Sequence, residues 1–344
     1  MELAVLYRSM MTTKIRGVLA DRTAQCLLLA AAILGYCRSP WSAAQLDDAY
    51  YYYQKLTWKQ NADVVILGDS RPMIALSPSV MSSELEGLRI RNFSFSGVGY
   101  SADYLGAAEQ VWDHECGDTL IALMGITPRS LRRISQKDNR FTSSLRTYTP
   151  QNYWKARCFS WIPHVWPAVD RPFLRALVQG VSPSEFKLYR DSYGWFEPCH
   201  QNADLSGTMV YYSRIRTDPI CDEIVDRLLN RVREWNAKGI HVYGFRPPTC
   251  REMEALEDDF DEESFVRAFE AAGGRWIAPP SDNLATYDAS HLDLDSVPLF
   301  SHRVARTVAM IEKRDTEQRH RKLDHPGSHD QATASLDDSD APPY

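Results

Sequence analysis

Five short apolar runs alternate with longer segments of helical periodicity along most of the chain, and this alternation constrains the fold more than any other feature. The runs that we predict as strands are residues 63–68, 89–93, 118–124, 240–245 and 274–278. The helical patterns are residues 103–113, 219–238, 262–272 and 296–312. Alternating strands and helices form a parallel sheet with helices on both faces. The sequence therefore predicts an α/β, flavodoxin-like, doubly wound fold with a five-stranded parallel sheet.

One region interrupts this alternation. Residues about 130–215 separate the third and fourth strands by far more chain than a crossover needs, and they include the aromatic stretches "YWKARCFSWIPHVWP" and "LYRDSYGWFEPCH". Long insertions that follow a strand commonly form lids or binding loops. The alternative is an aromatic-rich subdomain that packs only on itself, and the two interpretations are compatible.

The N-terminal 44 residues carry a targeting pattern. Lys14, Arg16 and Arg22 precede the short apolar run "CLLLAAAILGYC" at residues 26–37. The run is short for a membrane span but typical of a secretory signal. We expect residues 1–44 to be an export signal or membrane anchor that places the domain at residues 45–312 outside the cytoplasm, as a secreted, periplasmic or membrane-anchored protein. The alternative is an N-terminal helix on a cytoplasmic protein.

The polar C-terminus, the charge and the cysteines limit the remaining possibilities. Residues 313–344 nearly lack large apolar side chains, so we predict a disordered tail. A net charge of -6 gives no basic face for nucleic acid. The nine histidines form no metal-binding pattern, and we expect neither metal nor cofactor. Beyond the export segment, five cysteines allow at most two disulfides in an oxidising compartment, with Cys158 and Cys199 as one candidate pair.

A serine ends the first predicted strand. The segment "DVVILGDSRPM" runs apolar from Val64 to Leu67 and then turns to Gly-Asp-Ser, with the serine at position 70. Open α/β sheets place their active sites at the carboxyl ends of the strands, which makes Ser70 a candidate nucleophile. The alternative is local, because Asp69 or Ser70 can simply cap the following helix.

An aspartate and a histidine follow the fifth predicted strand in "YDASHLDLDSV". A carboxylate at Asp288 can bind one ring nitrogen of His291, which fixes the histidine tautomer and leaves the other nitrogen as a base. Such a pair three residues apart is by itself weak evidence, because it occurs often on protein surfaces.

Taken in chain order, these segments resemble the SGNH, or GDSL-type, hydrolase superfamily over roughly residues 60–125 and 240–312. The matching segments are Gly-Asp-Ser at the first strand, "RNFSFSGVGYS" with Asn92, Ser96 and Gly97 after the second, a third strand ending at Gly125, and the Asp-x-x-His after the fifth. The resemblance implies a triad of Ser70, Asp288 and His291. It also implies an oxyanion hole formed by the backbone N-H groups of Ser70 and Gly97.

The sequence departs from the family pattern at the third strand. The family has Gly-x-Asn-Asp there, with the asparagine amide as a third oxyanion donor, whereas this chain reads "LMGITPRSL". Ile126 and Thr127 offer no amide, and the loss of one oxyanion donor costs about 10²–10³ in rate. Thr127 followed by Pro128 is typical of a helix N-cap, and Thr127 is also a candidate substrate contact.

Three arginines follow predicted strands and are candidate substrate-binding residues. Arg71, Arg129 and Arg246 come after the first, third and fourth strands, which end at the same edge of a parallel sheet. Guanidinium groups bind carboxylates and phosphates in bidentate fashion. An anionic substrate is therefore expected, such as a uronate-bearing or phosphorylated glycan. The alternative for each arginine is pairing with a nearby carboxylate or exposure to water.

Together these features predict an exported serine esterase or O-acyltransferase that forms an acyl-Ser70 intermediate. The resemblance and the aromatic insertion favour acyl esters, acetyl esters first, of an envelope or extracellular glycan, or another ester, as the substrate. The N-terminus is the candidate for membrane association. The missing asparagine motivates the alternative of an SGNH-fold binding or scaffold protein of the cell envelope with weak or no activity.

Overall fold

The structure is a computed structural model that describes residues 21–30, 48–115, 119–137, 139–165, 191–197 and 205–324. Residues 21–30 are helical and exposed. Within the described ranges, no helix combines the length and the hydropathy needed to cross a membrane. Most of the predicted export or anchor segment, residues 1–44, lies outside the described residues.

Five parallel strands form one sheet. They are β1 (Val64–Gly68), β2 (Ile90–Asn92), β3 (Leu120–Gly125), β4 (Ile240–Phe245) and β5 (Arg275–Trp276), in the order β2-β1-β3-β4-β5. Every pairing is parallel, and Gly68 at the end of β1 is in register with Gly125 at the end of β3. The predicted strands and the α/β class are confirmed, and the strand order is consistent with a flavodoxin-like fold.

Helices fill the crossovers and the long insertion. The first half of the chain contains α1 (Asp48–Leu56), α2 (Ser70–Ala75), α3 (Pro78–Met81), α4 (Ala102–Glu109), a 3-10 helix (Pro128–Leu131), α5 (Ile134–Lys137), α6 (Arg140–Thr147) and α7 (Pro150–Val165). The second half contains α8 (Leu205–Ile215), α9 (Asp222–Ala237), α10 (Arg251–Leu256), α11 (Glu262–Ala271) and α12 (Ser296–Asp324).

Helices cover both faces of the sheet, which explains why β1 is a continuous apolar run. Successive side chains of a strand point to opposite faces. Val65 and Leu67 pack in one core cluster with residues of α1, α4, α9 and α11. Val64 and Ile66 pack in a second cluster with residues of α3 and α12. β1 lies between the strands at which the chain order reverses, and such a switch point is where α/β sheets bind ligands.

The described parts of the insertion pack against the body of the protein. The Tyr193 carbonyl accepts a hydrogen bond from the Asn92 N-H at 2.8 Å, so the segment 191–197 borders the edge strand β2. The Trp195 indole donates to the carbonyl of Ile74 at 2.8 Å. The interpretation that the insertion packs only on itself is therefore wrong for these parts. The segments 166–190 and 198–204 lie outside the described residues.

The proposed Cys158–Cys199 disulfide falls outside the residues whose side chains are described. Cys221 and Cys250 are described, and both are free thiols. A pairing between these two is therefore ruled out.

The last helix is longer than the sequence pattern predicted. Helix α12 continues to Asp324, so the prediction of a disordered tail is wrong for residues 313–324. A polar contact with the sheet supports this extension, because Asp315 forms an ion pair with Arg275 of β5. Just before the extension, Glu312 accepts from His241 Nδ1 of β4 at 2.7 Å. Hydropathy gives no signal for such contacts. Residues 325–344 lie outside the described residues.

Candidate active site

The turn between β1 and α2 presents Ser70 at the carboxyl edge of the sheet. Asp69 is the N-cap of α2, and its carboxylate accepts a hydrogen bond from the Arg71 N-H at 3.0 Å. Gly68 has a φ of +136°, and a Cβ at this position would lie 2.6 Å from Cγ of Pro72. The turn therefore requires glycine. The capping interpretation is right for Asp69, and it leaves Ser70 as the partly exposed first residue of the helix.

The structure brings Ser70, His291 and Asp288 into one chain of hydrogen bonds. Ser70 Oγ lies 2.8 Å from His291 Nε2, and His291 Nδ1 lies 2.7 Å from Asp288 Oδ2. The other Asp288 oxygen accepts from the backbone N-H groups of Ser290 at 3.0 Å and His291 at 2.7 Å. Two segments that are 221 residues apart in the chain thus meet at hydrogen-bonding distance.

The charge of Asp288 determines the roles of the two imidazole nitrogens. Burial acts to raise the pKa of Asp288, but hydrogen bonds and charge attraction from His291 and the backbone N-H groups outweigh it and lower this pKa below its ordinary value. An ionised carboxylate only accepts hydrogen bonds, so Nδ1 of His291 carries a proton. In the neutral ring, Nε2 is then the acceptor for the Ser70 hydroxyl. This is the arrangement that a general base requires.

The Asp-x-x-His turn contains a strained residue. Ala289 has a φ of +69°, in the left-handed region that residues with a Cβ rarely adopt. Its side chain is buried, and its carbonyl accepts from the N-H of Cys250 at 3.0 Å. The surrounding structure therefore holds the turn in a conformation that costs about 1–3 kcal/mol on its own. Such outliers cluster at functional sites.

Two backbone N-H groups near the carboxyl end of β1 have no acceptor among the described residues. The loop after β2 continues along the end of β1, because the Phe95 N-H donates to the carbonyl of Gly68 at 3.0 Å. Gly97 lies two residues beyond Phe95, with a φ of +73°, and Ser70 lies two residues beyond Gly68. Among the described residues, neither the Ser70 N-H nor the Gly97 N-H has a hydrogen-bond acceptor. Both are free to bind an oxyanion.

Thr127 holds the nucleophile turn instead of facing a substrate. It is fully buried, and its hydroxyl donates to Asp69 Oδ2 at 2.6 Å while accepting from the Ser130 N-H at 3.1 Å. The prediction that Thr127 contacts substrate is therefore wrong, and its N-cap role is confirmed. Ile126 is also fully buried. Neither residue replaces the missing asparagine amide.

Two of the three candidate arginines are occupied by carboxylates. Arg71 is 1% exposed and makes two hydrogen bonds to Glu257, at 2.6 and 3.1 Å. Arg246 donates to Glu257 at 3.1 Å and to Glu262 at 2.5 Å. The prediction that these two guanidinium groups face an anionic substrate is wrong, because carboxylates close by in space neutralise them.

Arg129 differs from these two. Its Nη2 donates to the phenol oxygen of Tyr211 at 3.2 Å, and its Nη1 is buried with no hydrogen-bond partner among the described residues. Arg129 therefore remains the candidate anion-binding residue.

Sequence reasoning missed a buried hydrogen-bond network behind Ser70. Arg71 Nε donates to Ser290 Oγ at 3.0 Å, and Ser290 Oγ donates to the phenol oxygen of Tyr212 at 2.9 Å. The network ties the nucleophile helix to the turn that carries His291. Ser290 lies inside the Asp-x-x-His segment, and this position was a signal from which its role in the site could have been predicted. Glu257 lies in an acidic run, and no sequence pattern distinguishes it.

Asn92 also has a structural role. Its side-chain amide donates to the carbonyls of Pro72 at 3.1 Å and Leu76 at 3.0 Å, at the C-terminal end of α2. Within the described ranges, no group of three histidine, cysteine or carboxylate side chains is arranged to hold a metal ion.

Comparisons of the chain with models of known protein families, with curated proteins and with solved structures give no match. The family resemblance therefore rests on the motifs in the sequence.

Proposed function

We propose that the protein is an SGNH-like serine esterase or O-acyltransferase that forms an acyl-Ser70 intermediate. The observation that carries the proposal is the continuous hydrogen-bond chain from Ser70 through His291 to Asp288, with spacings of 2.8 and 2.7 Å. A neutral serine becomes an effective nucleophile when an oriented base accepts its proton. This chain supplies the base, and Asp288 orients it.

The reaction proceeds in two halves. His291 Nε2 takes the Ser70 hydroxyl proton while Ser70 Oγ attacks the ester carbonyl, and the N-H groups of Ser70 and Gly97 stabilise the oxyanion that forms. The bond between the carbonyl carbon and the leaving oxygen then breaks, and His291 returns the proton to the departing alcohol. In the second half, His291 takes a proton from water or from an acceptor hydroxyl while that oxygen attacks the acyl-serine carbonyl. The bond between the carbonyl carbon and Ser70 Oγ then breaks, and His291 returns the proton to Ser70. Hydrolysis and transfer differ only in this acceptor.

The proposed substrate is an acyl ester of an envelope or extracellular glycan, encountered by an exported or membrane-anchored enzyme. Described aromatic side chains with exposed surface support a sugar substrate, since aromatic faces stack on sugar rings. They are Trp154, Tyr193 and Tyr211, each about half exposed. All three lie in the insertion after β3.

Labelling with an organophosphonate serine probe tests the proposal. We expect wild type to be labelled at Ser70, Ser70→Ala to be unlabelled, and His291→Ala to be labelled much more slowly. Ser82→Ala is the matched control, because Ser82 is exposed and its hydroxyl donates only to the nearby carbonyl of Ser79 at 2.8 Å. Equal labelling of wild type and Ser70→Ala would refute the nucleophile. If folded wild type were not labelled, the result would favour the alternative of a scaffold protein. The missing amide at positions 126 and 127 is the observation that supports this alternative.

A further inference from the structure

Arg129 carries a buried donor that the described protein does not satisfy. The residue lies in the 3-10 helix that follows β3, at the sheet edge where Ser70 also lies, and it is 7% exposed. Its Nη1 has no hydrogen-bond partner among the described residues. A buried donor without an acceptor is costly, and native proteins nearly always pair such groups with protein, water or ligand. The unpaired nitrogen therefore indicates a bound species.

Arg129 also lines a small open cavity. It is lined by the polar side chains of Arg129, Arg132, Tyr212, Arg216 and Glu257, together with apolar residues. Tyr212 connects the cavity to the candidate active site, because its phenol oxygen accepts from Ser290, the residue before His291. Arg71, the residue after Ser70, binds Glu257 in the same wall. A ligand in the cavity thus lies one layer of side chains from the nucleophile turn.

Arg129 differs from the other arginines at this cavity. Five arginines line it or pair with Glu257, and four carboxylates pair with them. Arg132 pairs with Asp259 at 2.7 Å, and Arg216 pairs with Asp258 at 2.5 Å. Arg71 and Arg246 both pair with Glu257, and Arg246 also pairs with Glu262. Among the described residues, no carboxylate lies within ion-pair distance of Arg129. The Arg129 guanidinium therefore has neither an ion pair nor a partner for its Nη1 within the described residues.

We propose that Arg129 binds a carboxylate group of the substrate, such as that of a uronate residue in an acylated glycan. A carboxylate oxygen accepts from Nη1 in a charge-assisted hydrogen bond, and its negative charge supplies the ion pair that Arg129 lacks among the described residues. A phosphate carries up to two negative charges and would lie near the carboxylate of Glu257, which disfavours it. The substrate assignment rests on the proposed esterase or acyltransferase function. Binding of the carboxylate does not.

Binding is measured on the full chain carrying Ser70→Ala, so that the result is independent of acylation. Glucuronate is titrated by calorimetry, with inorganic phosphate and glucose as comparison ligands. We expect glucuronate to bind, Arg129→Met to weaken it at least about tenfold, and Arg129→Lys to weaken it less. Arg214→Met is the matched control, because Arg214 is an exposed arginine on α8. Thermal unfolding of each variant establishes that it is folded.

Several results would overturn the proposal. One is equal glucuronate affinity with and without Arg129, and another is tighter binding of phosphate than of glucuronate. The third is no binding of glucuronate at all, and in that case the partner of Nη1 would be a water molecule. Serine labelling of the wild type is scored separately. Labelling without glucuronate binding would remove the carboxylate site alone, whereas binding without labelling would remove the proposed chemistry alone.

Discussion

Replacing Thr127 by valine tests whether this residue holds the nucleophile turn. The Thr127 hydroxyl donates to Asp69 at 2.6 Å, and the two side chains are 0% and 1% exposed. A hydrogen bond to a charged group contributes about 1.5–3 kcal/mol, and the lost N-cap bond to Ser130 adds about 1 kcal/mol. Valine matches threonine in shape, so no cavity forms. We expect Thr127→Val to lower the free energy of unfolding by about 3 kcal/mol.

Thermal unfolding measures this effect. A loss of 1 kcal/mol shifts the melting temperature by about 2–4 °C in a domain of 150–250 residues, so the expected shift is about 6–12 °C. Thr127→Ser keeps the hydroxyl and should lose much less. Thr57→Val is a matched control, because its exposed hydroxyl donates only to the nearby carbonyl of Gln54 at 2.7 Å.

The labelling rate of Ser70 gives a second measurement. Asp69 caps the helix that begins with Ser70, so loosening Asp69 should slow labelling in Thr127→Val. A variant with wild-type stability and wild-type labelling that instead loses substrate affinity would refute the positioning role. It would return Thr127 to the substrate-contact role that the sequence suggested.

Three further predictions concern the same region. Glu257→Gln leaves Arg71 buried with an incompletely compensated charge, and urea unfolding should show a loss of about 3–5 kcal/mol. Gly125→Ala places a Cβ 2.6 Å from Cβ of Pro72, and the same assay should show a loss of about 1–3 kcal/mol from overpacking. The folded-state pKa of Asp288 is lowered, so its contribution to stability is present above the unfolded-state value of about 3.9 and is lost as the pH falls through the folded-state pKa. Asp288→Asn should therefore flatten the acid limb of a plot of stability against pH.

Matched variants sharpen these measurements. Glu263→Gln breaks an ion pair of a glutamate that is 84% exposed, and it should change stability by no more than about 0.5 kcal/mol. Gly106→Ala adds a Cβ that meets no atom within 4 Å in a helix, and it should be neutral or stabilising. If a variant and its control lost similar amounts of stability, the buried ion pair and the overpacking would not be the causes of those losses. An unchanged acid limb in Asp288→Asn would mean that other groups dominate acid unfolding.

The centre of the sheet was predictable because burial on both faces makes β1 and β3 nearly continuous apolar runs. The triad candidates were predictable because their spacing is local, as in Asp288 and His291, or because their position at a strand end is itself informative, as for Ser70. The alternation of strands and helices predicts the class of fold but not the strand order, since hydropathy does not say which strands are neighbours.

The pairings of buried charges were not predictable. Glu257 reaches Arg71 across 186 positions in the chain, and no local pattern marks either residue as the partner of the other. For the same reason, the sequence alone could not show which of the three candidate arginines pair with carboxylates. The structure separates them by the carboxylates around each one, and it leaves Arg129 without such a partner among the described residues.

The immediate neighbours of Ser70 are held more firmly than a helix cap requires. Asp69 and Arg71 are both about 1% exposed, and each is anchored to a different element: Asp69 to Thr127 after β3, and Arg71 to Glu257 and to the turn that carries His291. Buried charges lose their hydration, and apolar residues of similar volume often give equal or greater stability. Two buried charges that flank one partly exposed serine are therefore poorly explained by stability alone. They fix Ser70 relative to His291, and the proposed role of Ser70 as a nucleophile requires such positioning to within a fraction of an ångström.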